Sequence, residues 1–115
     1  EVEETVMFML TFPSGARASC QTSFGIQMNH LKITYEKGSL EMAPHSAYGD
    51  NKGTMSDGTV IDFPLENQQA KQMDDDALSL LNGTPLPVPG EEGLRDIRVV
   101  EAIYKSAAQQ CEVKI

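Results

Sequence analysis

The side chains best placed to do chemistry lie in one polar stretch, Ala43 to Gly53, which also holds Pro44, Gly49 and Asp50. His45, Tyr48 and Asn51 occur there close together, and an imidazole, a phenol and a carboxamide each both donate and accept hydrogen bonds, so together they suit hydroxyl groups. The plainer alternative is that they are solvated loop residues. Other chemistry-bearing residues read as structural. His30 and His45 are fifteen positions apart and neither has a Cys or His at ligand spacing, so no metal site is assigned. Asp74, Asp75 and Asp76 occupy consecutive helical positions whose side chains diverge, which prevents them from closing around one cation and leaves them as a solvated face. Glu91 and Glu92 fit the start of a helix, where negative charge is favoured, better than an acid–base pair. No Gly-x-Gly-x-x-Gly follows a strand and opens a helix. Gly49, Gly53 and Gly58 have the wrong spacing and fall in a loop and a hairpin, so no helix N-terminus is offered to a pyrophosphate. No catalytic or cofactor-binding residue is assigned to the chain.

The 115 residues suit one domain, and hydrophobic and charged fractions of 40% and 23% are those of a globular protein. Seventeen acidic against nine basic residues give a net charge of −8, which repels a phosphate backbone, so nucleic acid is not an expected partner. No apolar run approaches the roughly 20 residues of a membrane-spanning helix, and the first residues lack the basic region and apolar core of a signal peptide. A soluble domain is expected, with cytoplasm and periplasm both open. Cys20 and Cys111 have no second pair to make a disulfide framework and are read as buried or half-buried thiols.

These residues need elements to position them. Val6, Phe8, Leu10 and Phe12 alternate with Met7, Met9 and Thr11, so a strand is expected with apolar side chains on both faces. A Pro13-Ser14-Gly15 turn leads to a second arm, Ala16 to Phe24, with one apolar face. Leu31, Ile33 and Tyr35, then Leu40 and Met42, predict another hairpin around Glu36-Lys37-Gly38-Ser39, with Gly38 expected to take positive φ. A shorter pair flanks Asp57-Gly58, its second arm carrying Val60, Ile61 and Phe63 and ending at Pro64. From Asn67, an expected N-cap, the period becomes helical. Ala70, Met73, Ala77, Leu80 and Leu81 share a face, and Asn82-Gly83 close the helix. A second helix after Gly90 carries Leu94, Ile97, Val100, Ala102, Ile103, Tyr104 and Ala107 as a stripe expected to lie on the sheet, and Cys111, Val113 and Ile115 alternate as a closing strand. The expected class is α+β, a mostly antiparallel open β-sheet with helices packed on one face.

Asn67-Gln68, Met73-Asp74, Leu81-Asn82-Gly83, the run Pro89 to Asp96 and the run Glu101 to Ala107 resemble the closing segment of the glucose-fructose oxidoreductase, inositol dehydrogenase and MocA-like family. The Phe12 to Ala16 turn and the Tyr35 to Met42 hairpin also resemble it, most closely its glucose-fructose oxidoreductase branch. The likeness extends over nearly the whole chain and is more specific in its last fifty residues than in the sheet. It implies the second of two domains, the first being a Rossmann domain that binds NAD or NADP. The family's Glu-Lys-Pro lysine and its helical aspartate and histidine precede the segment seen here. Glu36-Lys37 is followed by Gly38 and belongs to a turn. The resemblance therefore implies a substrate and oligomerisation domain that is inert without its Rossmann partner. His45, Tyr48 and Asn51 are the candidates for the wall of a sugar or polyol cleft, and Met7 and Met9 for a homo-oligomeric contact through the open sheet, the alternative being that their face packs under a loop of the same domain. The alternative is a stand-alone binding or assembly module of the same fold, or a relative that has lost its dehydrogenase activity.

Overall fold

The computed structural model describes residues 2–63 and 67–115, with Phe63 described by its backbone alone. The first compact unit ends at Gln68 and the second is Gln69–Ile115. The first unit is antiparallel β-structure. Its strands are β1 (Thr5–Thr11), β2 (Arg17–Ser23), β3 (Leu31–Tyr35), β4 (Gly38–Met42), β5 (Asn51–Met55) and β6 (Val60–Phe63). They form two sheets, β1-β2 and β3-β4-β5-β6, where a single open sheet was expected. Residues 24–30 run irregularly between β2 and β3, so the ladder is interrupted there among the described residues.

β1 and β2 pair in register from Thr5↔Ser23 to Thr11↔Arg17. The turn closes as Pro13-Ser14-Gly15 predicts: Phe12 N donates to Ala16 O at 2.9 Å, Gly15 N donates to Phe12 O at 2.9 Å, and Gly15 takes φ +86°. Alternation then sorts the side chains. Val6, Phe8 and Leu10 are half-buried, whereas Met7 and Met9 on the other face are 72% and 61% exposed.

The four-stranded sheet has two contrasting faces. Leu31↔Met42, Ile33↔Leu40 and Leu40↔Met55 place apolar side chains together, and Gly53 lies in that set between Met42 and Ile61. A Cβ on Gly53 would come within 2.6 Å of Met42 Cγ and 2.8 Å of Glu41 O, so Met42 fills the space that any larger residue would need. Lys32, Glu41, Thr54 and Val60 follow one another across the opposite face, beside the pair Lys52↔Asp62. Glu41 accepts a 3.0 Å hydrogen bond from His30 Nε2 and lies 3.5 Å from Lys32 Nζ, and these partners, His30 foremost, hold its carboxyl below the usual range.

Glu36-Lys37 form the two-residue turn between β3 and β4. Gly38, however, is a strand residue paired with Tyr35 and is not among the left-handed glycines, which are Gly15, Gly58 and Gly83. What requires glycine there is close approach, because a Cβ would come within 2.5 Å of Ser56 Oγ. The turn after β5 follows the expected chemistry. Gly58 takes φ +89°, Met55 N donates to Thr59 O at 2.8 Å, and Asp57 Oδ1 accepts from Thr59 N at 2.9 Å. The expected stop at Pro64 lies outside the described residues.

The helices are α1 (Gln68–Asn82), directly after Asn67, and α2 (Gly90–Gln109). Gly83 ends α1 at φ +64°, with Thr84 N donating to Ser79 O at 2.9 Å and Gly83 N to Leu80 O at 3.4 Å, the paired bonds of a Schellman cap. α2 begins after extended Pro89, with Glu91 and Glu92 in its first turn, and ends at left-handed Gln110. Three expectations are corrected here. Residues 111–115 form no strand: Gln110 turns the chain left-handed and Ser106 Oγ donates to Cys111 O at 2.7 Å, which commits that carbonyl to the helix end. Cys111 is consequently exposed, while Cys20 is half-buried, and both are free thiols. The third correction concerns the helix faces. In α1, Ser79 is buried and Asp75 and Asp76 half-buried, whereas Met73, Leu80 and Leu81 are exposed. In α2 the covered residues are Glu92, Val99, Ala102, Ile103 and Ser106, and Leu94, Ile97, Val100 and Tyr104 are exposed. Periodicity finds a face that favours cover, but the cover itself must come from contacts the period does not encode.

Candidate functional site

Residues 43–50 leave β4 and enter β5 without helix or strand of their own, so their backbone polar groups need other partners. The sheet pairing continues briefly past Met42: Ala43 N donates to Lys52 O at 3.0 Å and Lys52 N to Pro44 O at 3.2 Å, so two loop residues face one strand residue. Pro44 contributes only its carbonyl, having no N–H, and beyond it the ladder stops.

Side-chain carboxamides take over at that point. Asn29 Oδ1 accepts from His45 N at 2.8 Å and from Ser46 N at 2.9 Å, and Asn51 Oδ1 accepts from Ala47 N at 2.8 Å. Three successive backbone N–H groups thus meet carboxamide oxygens. The carbonyls are engaged as well, Ser46 O by Asn29 Nδ2 at 2.9 Å and Ala47 O by Gln68 Nε2, from the last residue of the first unit, at 2.9 Å. Three neutral side chains, Asn29, Asn51 and Gln68, therefore hold peptides 45–47 without bringing a charge to the loop.

Held this way, the loop places the three candidate residues in distinct roles. Tyr48 projects and is 85% exposed, leaving both phenol and ring face accessible. His45 is half-buried, and its Nδ1 is the one buried side-chain nitrogen or oxygen among the described residues that lacks a hydrogen-bond partner. Such a group carries a desolvation cost, and its burial keeps it from direct contact with anything outside the loop. Asn51, the first residue of β5, commits its oxygen to Ala47 N and so helps shape the loop. Beside the loop, an open groove of about 440 Å³ on the polar sheet face is lined by Glu41, Ala43, Lys52, Gly53, Thr54 and Val60. Lys52 Nζ sits there 3.9 Å from Asp62 and 4.0 Å from Asp50, exposed pairs that add little stability. Met7 and Met9 belong to the separate β1-β2 hairpin.

Sequence reasoning finds His45, Tyr48 and Asn51 from local polarity but misses Asn29 and Gln68. Asn29 lies sixteen positions before His45 and Gln68 twenty-one after Ala47, and neither has a periodic or turn signal that ties it to the loop. The only available hint is negative: a stretch containing Pro44 and no ladder partner must find its hydrogen bonds elsewhere.

The whole chain, residues 1–115, matches the model of the family described as "Oxidoreductase family, C-terminal alpha/beta domain". It is 25% identical over 118 aligned positions to a D-xylose 1-dehydrogenase (NADP(+)) of Haloarcula marismortui, a match covering 98% of this chain and 33% of the relative. Among solved structures it is similar to the aldose-aldose oxidoreductase from Caulobacter crescentus complexed with glycerol, with 33% identity and a TM-score of 0.90 over 100% of this chain and 36% of that one. The chain thus spans about a third of the length of these relatives. With a match from end to end, an α+β fold and the motifs of its last fifty residues in agreement, the chain belongs to the glucose-fructose oxidoreductase, inositol dehydrogenase and MocA-like oxidoreductase family, as its C-terminal α/β domain.

Proposed function

We propose that this chain is the substrate-side domain of an NAD(P)-dependent oxidoreductase that acts on an aldose or a related polyol. The observation that carries this reading is the likeness along the whole chain to an aldose-aldose oxidoreductase, supported by the name of the D-xylose dehydrogenase relative. In this reading the 43–50 loop is part of the wall against which the sugar lies. Tyr48 offers a ring face and a hydroxyl, His45 a half-buried imidazole, and Asn51 holds the loop in shape. These groups bind and orient hydroxyls, which restricts the reacting carbon to a productive position.

The dinucleotide belongs to another domain of the protein, because the residues here do not fit it. No glycine-rich strand-to-helix turn is present in the sequence, and the first turn of α2 carries Glu91 and Glu92, whose charges oppose a pyrophosphate. The chain alone is accordingly inert. The exposed Met7–Met9 face of the β1-β2 hairpin serves as a contact between subunits, since paired exposed methionines favour burial against an apolar partner.

The test is reduction of NAD or NADP by the intact protein with a panel of aldoses and polyols. Turnover with an aldose is expected, together with a raised aldose KM in Tyr48→Ala and no turnover by residues 1–115 alone. An intact protein that oxidises no member of the panel contradicts the proposal and favours a binding or assembly module.

A further inference from the structure

The loop that carries His45 and Tyr48 is ordered by a side chain that belongs to neither the loop nor the strands on either side of it. From this we propose that Asn29 is a positioning residue of the substrate wall, a role that rests on the function proposed above. Its carboxamide bonds the 45–46 peptides on both edges: Oδ1 accepts from His45 N at 2.8 Å, Ser46 N at 2.9 Å and Ser46 Oγ at 3.5 Å, while Nδ2 donates to Ser46 O at 2.9 Å. Asn51 and Gln68 each make one hydrogen bond to the loop, against four for Asn29.

The bonding pattern has a functional consequence. Asn29 is half-buried and lies two residues before β3, whereas the loop it bonds runs between β4 and β5. It therefore ties a segment with no secondary structure to the approach to another strand. The peptides it fixes are those of His45 and Ser46, which sets where the unpartnered Nδ1 sits, and Asn51 and Gln68 fix Ala47, the residue immediately before Tyr48. A wall ordered in advance does not have to be ordered by the sugar, and binding is correspondingly tighter. Asn29 reaches the substrate only through the loop, so its effect belongs to sugar binding and not to the cofactor.

The experiment uses the intact protein, with steady-state kinetics in aldose and in NAD(P), and amide hydrogen exchange over residues 43–50. Asn29→Ala is expected to raise the aldose KM by about tenfold, the equivalent of one or two net hydrogen bonds, with the NAD(P) KM unchanged and exchange at the His45 and Ser46 amides accelerated. Asn29→Asp keeps an acceptor for the two N–H groups but turns a carboxylate oxygen toward Ser46 O where the donor was, so it should raise the aldose KM less than Asn29→Ala does, and it covers the case in which the alanine variant fails to fold. Unchanged loop exchange, or faster exchange with an unchanged aldose KM, overturns the positioning role alone. Equal rises in both KM values also overturn it, as a general loss of structure. A wild-type protein that oxidises no aldose overturns the proposed function, and the positioning role with it, before any variant is made.

Discussion

β5 is entered through residues 43–50 and left through the Asp57-Gly58 turn, and the two connections are built on opposite principles. The turn is local: Gly58 supplies a left-handed backbone, Asp57 accepts from Thr59 N two residues on, and Met55 closes on Thr59. The entry loop is not. Beyond the bonds it makes with Asn51 and Lys52 at the start of β5, it is held from Asn29 and Gln68, so its shape depends on the rest of the unit being folded. A connection made by its own residues is cheap and carries nothing, whereas one held from a distance can present side chains such as His45 and Tyr48 that take no part in holding it.

Substitutions at the two ends of β5 should separate these principles, read by urea unfolding of the intact protein. The largest effect is expected from Asn29→Ala, which removes both edges of the 45–46 clamp and should cost about 2 kcal/mol. At the opposite end, Gly58→Ala forces a Cβ into φ +89° and should cost roughly 1 kcal/mol, although nothing lies within 4 Å of that Cβ. A cost near zero would mean that the turn relaxes without glycine. Gln68→Ala, losing one exposed bond to Ala47 O, should cost about 0.5 kcal/mol and accelerate amide exchange in the loop without altering the 56–59 turn.

The smallest effect concerns pH. The backbone N–H of Thr59, and then its side chain, hold the Asp57 carboxyl below its usual range, and His30 and Lys32 do the same for Glu41. A carboxyl with a depressed folded value contributes stability that is present above the ordinary carboxylate range and is lost as pH falls through the folded value. Acid titration of stability should therefore be shallower in Asp57→Asn than in the wild type, and shallower again with Glu41→Gln. An unchanged acid limb in both variants would contradict the assignment.

The same division explains what could be read from the sequence. The strands were legible because Val6-Phe8-Leu10 and Leu31-Ile33 alternate, and the C-terminal end of α1 and the Gly15 and Gly58 turns because their residues satisfy demands within a few positions. Gly38 shows the limit. Its identity is legible as a turn signal, but its reason is Ser56, across the sheet, whose Oγ accepts from Ser39 N at 3.0 Å. The alternation of Cys111, Val113 and Ile115 is also real, yet a strand needs a ladder partner and none pairs with it among the described residues. In α1 the period located an apolar stripe, while burial fell on Ser79, which the Schellman cap engages through its carbonyl. For the candidate site, polarity identified His45, Tyr48 and Asn51 but not Asn29 and Gln68, because hydrogen bonds between distant residues leave no periodic trace.

The most direct measurement is a crystal structure of the intact protein with NAD(P) and an aldose bound. The account predicts a sugar hydroxyl within hydrogen-bond distance of Tyr48 or His45, with the 43–50 loop still clamped by Asn29 and the dinucleotide held wholly by residues outside this chain. A sugar bound away from the loop, or a dinucleotide seated on residues 1–115, would contradict it.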